Sequence, residues 1–358
     1  MRPRFHPLRV ATLRRTTSNC TVVGFDVPAE LRDAFRYRAG QYLTLRTTLN
    51  GEELRRSYSL CSAPYEQRWE VAVKQVPQGR FSTFVAESLA LGDTLDVMPP
   101  TGNFAAPSEP VRHVVGFAAG SGITPVISIL KQLLHEQPAA HATLFYGSRT
   151  TAEIILREEL EQLKNTYLTR LRTYHVLSRE DLGSELFGGR IDAERCAAFA
   201  DLLLDLNEID HYYLCGPEPM IRAVSETLTQ LGVAADTVHF ELFGAPVPAE
   251  HAAQRASLQQ RRSQVELARV DVTIDGKRTS IEMLDDGLHL LEAALAYGLD
   301  LPFACKGGVC STCKCKVTEG EVAMDVNYAL EPDEVEAGYV LSCQARPISD
   351  RVAVDFDA

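Results

Sequence analysis

The pattern of apolar and polar positions changes character along the chain. Through residues 1–106, apolar positions come in short runs such as Tyr42–Thr47, Arg56–Leu60 and Glu70–Val76, separated by turn residues. Alternation of this kind, with few long helical stretches, predicts a small antiparallel barrel. From Val111 the runs Val111–Ala118, Ala142–Tyr146, Leu171–Leu177 and His211–Cys215 alternate with amphipathic patterns over Ile123–Glu136, Thr151–Lys164 and Glu218–Leu231. That succession predicts an α/β domain over residues 107–245, doubly wound around a parallel sheet. Residues 246–267 are rich in Ala, Gln, Arg and Pro and contain no aromatic residue, the composition of a linker. A third unit, 268–358, opens with a hairpin pattern: Val270–Ile274, the turn Asp275-Gly276, then Lys277–Ile281. A helix over Leu288–Tyr297 and a cysteine-rich loop follow.

Three domains suit a length of 358 residues. The formal charge of −12 argues against nucleic acid as a partner. Its distribution is uneven: residues 1–106 carry 14 basic and 10 acidic side chains, whereas 107–245 and 246–358 each carry 11 and 19. The opening MRPRFHPLRV has charge but no apolar core of a secretory signal, so a cytoplasmic location is expected. Val111–Leu134, the most apolar stretch, is broken by Gly, Ser, Thr and Pro and reads as strand, loop and helix, with no membrane span.

The sharpest chemical signal is Cys305-Lys-Gly-Gly-Val-Cys310-Ser-Thr-Cys313, with Cys343 after 29 intervening residues. This C-x4-C-x2-C…C spacing is that of plant-type [2Fe-2S] proteins, and Gly307 and Gly308 are expected to permit the tight turn around the cluster. A zinc site would ordinarily pair two C-x2-4-C units, and buried free thiols are the other alternative. Cys315 is an extra thiol, expected to serve as a small buried hydrophobe.

Arg56-Ser57-Tyr58-Ser59-Leu60 is an R-x-Y-S motif on a strand, with Arg56, Tyr58 and Leu60 on one face. It gains force from Val73-Lys74 and from Gly79-Arg80-Phe81-Ser82-Thr83, which opens a helix whose N-terminus suits a pyrophosphate. Gly120-Ser121-Gly122-Ile123-Thr124-Pro125 sits between a strand and a helix, where glycines let the backbone approach a second pyrophosphate. Cys215-Gly216-Pro217-Glu218-Pro219-Met220 ends a later strand.

Together these motifs resemble the ferredoxin–NADP reductase superfamily carrying a C-terminal plant-type ferredoxin domain of β-grasp form. The resemblance implies FAD held by Arg56, Tyr58, Ser59 and Leu60 around its ring and ribityl end, with Val73, Lys74, Gly79, Ser82 and Thr83 towards its phosphates. FMN is the alternative, disfavoured by Phe81 where FMN-using relatives tend to have Gly. It implies a nicotinamide nucleotide at Gly120, Gly122, Thr124, Cys215, Gly216 and Met220, with Tyr58, Ser59 and Cys215 at the site of hydride transfer. Glu241 and Phe243 match the acidic and aromatic positions that the family places near the flavin. Arg149 and the pair Ser178-Arg179 favour NADPH over NADH, because arginines suit a 2′-phosphate. The four cysteines Cys305, Cys310, Cys313 and Cys343 would ligate the cluster.

The domain order resembles reductase components of multicomponent oxygenases, and Arg56–Pro64, Gly120–Ile129 and Cys305–Lys314 resemble the reductase subunits of phenylacetyl-CoA epoxidase complexes. This implies electron delivery to a di-iron oxygenase acting on an aromatic acyl-CoA in phenylacetate degradation. The alternatives are a Rieske dioxygenase or other hydroxylase as acceptor, or an iron–sulfur redox sensor for which bound nucleotide is only a signal.

Overall fold

The computed structural model describes residues 4–243, 267–284 and 288–358. Apart from Leu267, the expected linker lies outside the described residues. The chain divides into two compact units, one built from residues 5–54 and 58–243, the other, among the described residues, from 4, 55–57, 267–284 and 288–358.

In the first unit, β1 (His6–Thr17), β2 (Cys20–Asp26), β3 (Tyr42–Leu49), β4 (Glu52–Ser59), β5 (Trp69–Lys74) and β6 (Thr94–Thr101) form one sheet in the order β4-β3-β6-β1-β2-β5. An antiparallel bridge between Leu60 and Val71 joins the end of β4 to β5 and closes the sheet into a barrel. Inward positions supply its core, including Val10, Val23, Leu43, Leu45, Leu60, Val71 and Val97. Helix α1 (Arg80–Glu87) adds Phe81 and Val85 to that core. Closure removes the exposed sheet edges that an open antiparallel sheet would present.

The parallel sheet follows: β7 (His113–Ala119), β8 (His141–Ser148), β9 (Leu171–Leu177), β10 (His211–Gly216) and β11 (Val238–Leu242), in the order β11-β10-β7-β8-β9. Helices α2 (Ile123–Glu136), α3 (Arg157–Thr166), α4 (Ala193–Leu203) and α5 (Glu218–Gln230) connect its strands. Leu144 and Tyr146 of β8 join a core with residues of α2 and α3, whereas Phe145 stacks on Phe199 of α4 at 4.3 Å. Both faces are therefore covered, which is why β8 reads as a continuous apolar run.

Three local expectations need correction. The helix expected over Thr151–Lys164 begins only at Arg157. Thr151 is captured by Glu180, whose carboxylate accepts from its backbone N–H and hydroxyl at 2.6 and 2.7 Å, and Leu156 takes a left-handed φ of 57°. Helix α4 and strand β11 have no counterpart in the apolar pattern. A signal for α4 exists, however: the Asp192 carboxylate caps its N-terminus by accepting from Arg195 N at 3.0 Å.

The second unit contains β12 (Leu267–Ile274), β13 (Lys277–Leu284), α6 (Leu290–Ala296), β14 (Lys314–Glu319), β15 (Val322–Met324), α7 (Pro332–Glu336), β16 (Tyr339–Leu341), β17 (Ala345–Pro347) and β18 (Arg351–Asp355). Its main sheet runs β13-β12-β18-β14-β16, with β12 and β18 parallel and the other neighbours antiparallel. Leu290, Leu291 and Ala294 of α6 fill its core, giving the β-grasp arrangement. The β12–β13 hairpin turns through Asp275 (φ 51°) and Gly276 (φ 68°), the left-handed pair that an Asp-Gly hairpin turn requires.

Candidate functional site

The cysteine loop folds around two close thiol pairs. Cys305 and Cys310 share a hydrogen bond, as do Cys313 and Cys343. The bond from Cys310 pulls the Cys305 thiol below its ordinary range, aided by amides of Gly307, Val309 and Cys310 that point at its sulfur. Gly307 N–H approaches Cys305 Sγ at 3.3 Å, and Cys305 N–H approaches Cys310 Sγ at 3.3 Å. Such inward amides are what thiolates sharing a negative cluster require. Among the described residues no three His, Cys, Asp or Glu side chains are arranged to hold one metal ion.

The fourth cysteine, Cys343, is tied to the loop through its two neighbours. Ser342 donates to Cys313 O through both its N–H (3.1 Å) and its hydroxyl (2.9 Å), and Gln344 Nε2 donates to Lys306 O at 3.1 Å. The turn itself differs from expectation, because Lys306 (φ 52°) and Gly308 (φ 75°) take left-handed backbone and Gly307 does not. An added Cβ at Gly308 would lie 3.1 Å from Val326 O, while one at Gly307 would meet nothing closer than 3.8 Å. Cys315 sits on β14 inside the apolar core, its thiol pushed up by burial, and behaves as a buried hydrophobe.

In the first unit the flavin-type and nicotinamide-type motifs adjoin. Tyr58 packs on Phe81 of α1 with ring centroids 5.8 Å apart, bringing the R-x-Y-S strand to the Gly79–Thr83 turn. Ser82 Oγ accepts from Val76 N and donates to Gly79 O, and Thr83 N–H bonds Gly79 O, which fixes that turn. Leu60 and Val73 are buried in the barrel, while Arg56 is exposed on its strand. Gly120 takes φ 56°, and a Cβ there would sit 3.4 Å from Lys74 Nζ, so the β5 lysine reaches the β7–α2 turn. Tyr146 OH donates to Gly120 O at 2.9 Å and accepts from Ile155 N at 3.2 Å, a support that the motifs did not reveal. Thr124 Oγ1 donates to Ser121 O at 2.9 Å and closes the first turn of α2.

Cys215 ends β10 between Ala118 of β7 and Glu241 of β11. It is fully buried, and burial followed by the nearby Glu241 carboxylate keeps its thiol protonated. Met220 is buried behind Gly216. Ser59 Oγ donates to Glu241 Oε2 at 2.7 Å, tying the flavin-type strand to the end of the parallel sheet. Phe243, just beyond β11, is 43% exposed. At the far end of the sheet, Ser178 N–H bonds Ser148 O and Arg179 N–H bonds Arg149 O, so both Ser-Arg pairs stand side by side. Arg149 lies 3.8 Å from Glu153.

Burial pushes the Glu241 carboxyl up to about 8, partly offset by the Ser59 hydrogen bond. A folded value raised above the unfolded one gives stability that is complete below the unfolded value and fades as pH rises through the folded one. The melting temperature of the wild-type protein should therefore fall relative to Glu241→Gln as pH rises from about 5 to about 8, by about 2–4 °C. Parallel melting curves across that range would show that this carboxyl is not raised.

Residues 7–105 match the oxidoreductase FAD-binding domain, residues 117–226 the oxidoreductase NAD-binding domain, and residues 272–347 the 2Fe-2S iron-sulfur cluster binding domain. The sequence is 42% identical to a 1,2-phenylacetyl-CoA epoxidase subunit from Escherichia coli (strain K12), over 99% of this chain and 98% of that protein. The chain belongs to the ferredoxin–NADP reductase superfamily with a C-terminal [2Fe-2S] ferredoxin domain. It is a flavin iron–sulfur oxidoreductase using FAD, a nicotinamide nucleotide and a [2Fe-2S] cluster. It is also 36% identical to the ferredoxin reductase component of 3-ketosteroid-9-alpha-monooxygenase from Rhodococcus rhodochrous, over 98% of this chain and 96% of that one. The solved structure of phthalate dioxygenase reductase shares the fold, with a TM-score of 0.61 at 23% identity over 98% of both chains. The reductase reading thus holds over the sensor.

When bound, the flavin and cluster supply the conversion of a two-electron hydride donor into single electrons. The protein's own residues supply orientation. Ser59, Cys215 and Glu241 gather where barrel and parallel sheet meet, and the raised carboxyl and protonated thiol avoid placing bare charge there.

Proposed function

We propose that this reductase takes hydride from NADPH and delivers electrons to a di-iron oxygenase acting on an aromatic acyl-CoA, as in phenylacetyl-CoA epoxidation within the cytoplasm. The observation that carries the reading is the 42% identity to the Escherichia coli epoxidase component over nearly the whole of both chains. Reconstitution tests it. The purified reductase, mixed with the epoxidase's oxygenase subunits and phenylacetyl-CoA, should give NADPH-dependent product. Failure there, with turnover of a Rieske-type oxygenase instead, would move this chain towards the other oxygenase reductases among its relatives.

In this reading Arg56, Tyr58, Ser59, Leu60, Val73, Lys74, Gly79, Ser82 and Thr83 hold FAD. Gly120, Gly122, Thr124, Cys215, Gly216, Met220 and Phe243 orient the nicotinamide half, and Cys305, Cys310, Cys313 and Cys343 hold the cluster. The domain boundaries proposed with it are 1–106, 107–245 and 268–358, joined by 246–267. Preference for NADPH is supported by the adjacent Arg149 and Ser178-Arg179. Replacing Arg179 with Ala should raise KM for NADPH by about one to two decades, the worth of a charge-assisted phosphate contact of about 1.5–3 kcal/mol. KM for NADH should change little. Equal penalties for both nucleotides would put the 2′-phosphate elsewhere.

A further inference from the structure

Helix α2 serves two contacts. Its first turn follows Gly120–Gly122, and further along Ser128, Lys131 and His135 lie on one stripe at helical spacing. That stripe meets the barrel. Ser128 Oγ donates to Ser62 O at 2.6 Å, and Lys131 Nζ donates to Cys61 O at 3.2 Å and to Glu66 Oε2 at 3.1 Å. The His135 ring stacks on Tyr65 with centroids 3.8 Å apart. Every partner belongs to residues 61–66, the segment that leaves β4 directly after Ser59 and Leu60.

Lys131 is 7% exposed, and a buried ammonium is costly unless paired. Its partner is pre-set: Glu66 accepts from Ala63 N at 2.7 Å and pairs with Arg68. The Lys131 and Arg68 charges, with the Ala63 hydrogen bond, outweigh burial and hold the Glu66 carboxyl below its usual range. Beside this contact runs a polar cleft of about 350 Å³, bordered by Arg14, Tyr65, Arg68, Glu159 and Tyr167. Apolar packing therefore does not continue the contact on that side.

We propose that Lys131, seated on Cys61 O and Glu66, is a positioning residue for hydride transfer, fixing the register of the nicotinamide-site helix against the flavin strand. Seven residues separate Lys131 from Thr124, a lever of about 10 Å at 1.5 Å per residue. Hydride transfer is steep in geometry, since a displacement of about 1 Å can cost about 10²-fold. The inference rests on Gly120–Thr124 being the nicotinamide turn, which substitution at Gly122 tests separately.

The test uses the full-length protein with its cofactors, comparing wild type with Lys131→Met, Lys131→Arg and Glu66→Gln. At saturating NADPH, Lys131→Met should reduce the flavin at least tenfold more slowly, with Kd for the nucleotide changed less than threefold. Lys131→Arg should recover most of that loss, and Glu66→Gln should show it in weaker form. Hydrogen exchange supplies a readout independent of turnover: amides in α2 should exchange faster in Lys131→Met, with those of β7 and β8 unchanged. If Lys131→Met loses flavin, the rate measured for Glu66→Gln decides. A limiting rate within twofold of wild type, a change in Kd alone, or a rate loss merely tracking lost flavin would overturn the proposal.

Discussion

Replacing Cys310 or Cys343 with Ser is expected to abolish the cluster's visible absorbance and NADPH-driven reduction of cytochrome c. Flavin content and NADPH-driven ferricyanide reduction should stay within about twofold of wild type, a change of about 0.5 kcal/mol or less in a unit the substitution does not enter. The two cysteines come from different thiol pairs, Cys310 with Cys305 and Cys343 with Cys313, so the two substitutions test the loop and its distant partner separately. A serine hydroxyl is a poor substitute for a thiolate, whose softness is what these clusters select. Cys315 should not rescue either variant, because it lies beyond the cysteine loop on β14, held in register opposite Val340 of β16. That unit has its own core of α6 and sheet residues, separate from the core of the barrel. Loss of flavin together with the cluster, in either variant, would show that the two cofactor sites are not independent.

Much of this was legible in the sequence because the physics was local. A four-cysteine spacing, an Asp-Gly hairpin turn and the alternation of β3 to β5 each declare themselves within a few residues. What escaped depended on distant partners. Strand β11 is an edge strand with His239 and Glu241 half-buried and Phe240 exposed, so it leaves no apolar run to read. Glu241 was in reach only through resemblance, and its bond to Ser59 spans 182 positions. Lys131 looks like one cation on an amphipathic helix until the segment after β4 folds beneath it. The turn residues show the same limit: two adjacent glycines suggest equal roles, but Lys306 and Gly308 take the left-handed conformations.

The other large effect is expected at Gly122. Its backbone is ordinary αR (φ −61°, ψ −10°), so conformational freedom is not the reason for glycine here. The reason is contact. An added Cβ would lie 2.0 Å from Cys215 O, 2.4 Å from its carbonyl carbon and 2.8 Å from Gly216 N, distances that no side-chain rotation can relieve. Cys215 cannot retreat, because β10 is paired on one side to Ala118 of β7 and on the other to Glu241 of β11. Pushing β10 away would also strain the Ser59–Glu241 hydrogen bond, so the first turn of α2 is what must move. A shift near 1 Å at a reacting geometry costs about 10²-fold. We therefore expect Gly122→Ala to slow NADPH-driven flavin reduction by about that factor, while dithionite still reduces flavin and cluster fully. Gly147→Ala is the matched control at the end of β8: a Cβ there meets only ordinary contacts of 3.4 to 3.6 Å. It should keep the rate within about threefold, the effect of a change below about 0.7 kcal/mol. If Gly122→Ala is as active as Gly147→Ala, the close approach of α2 to β10 does not set the position of the nicotinamide.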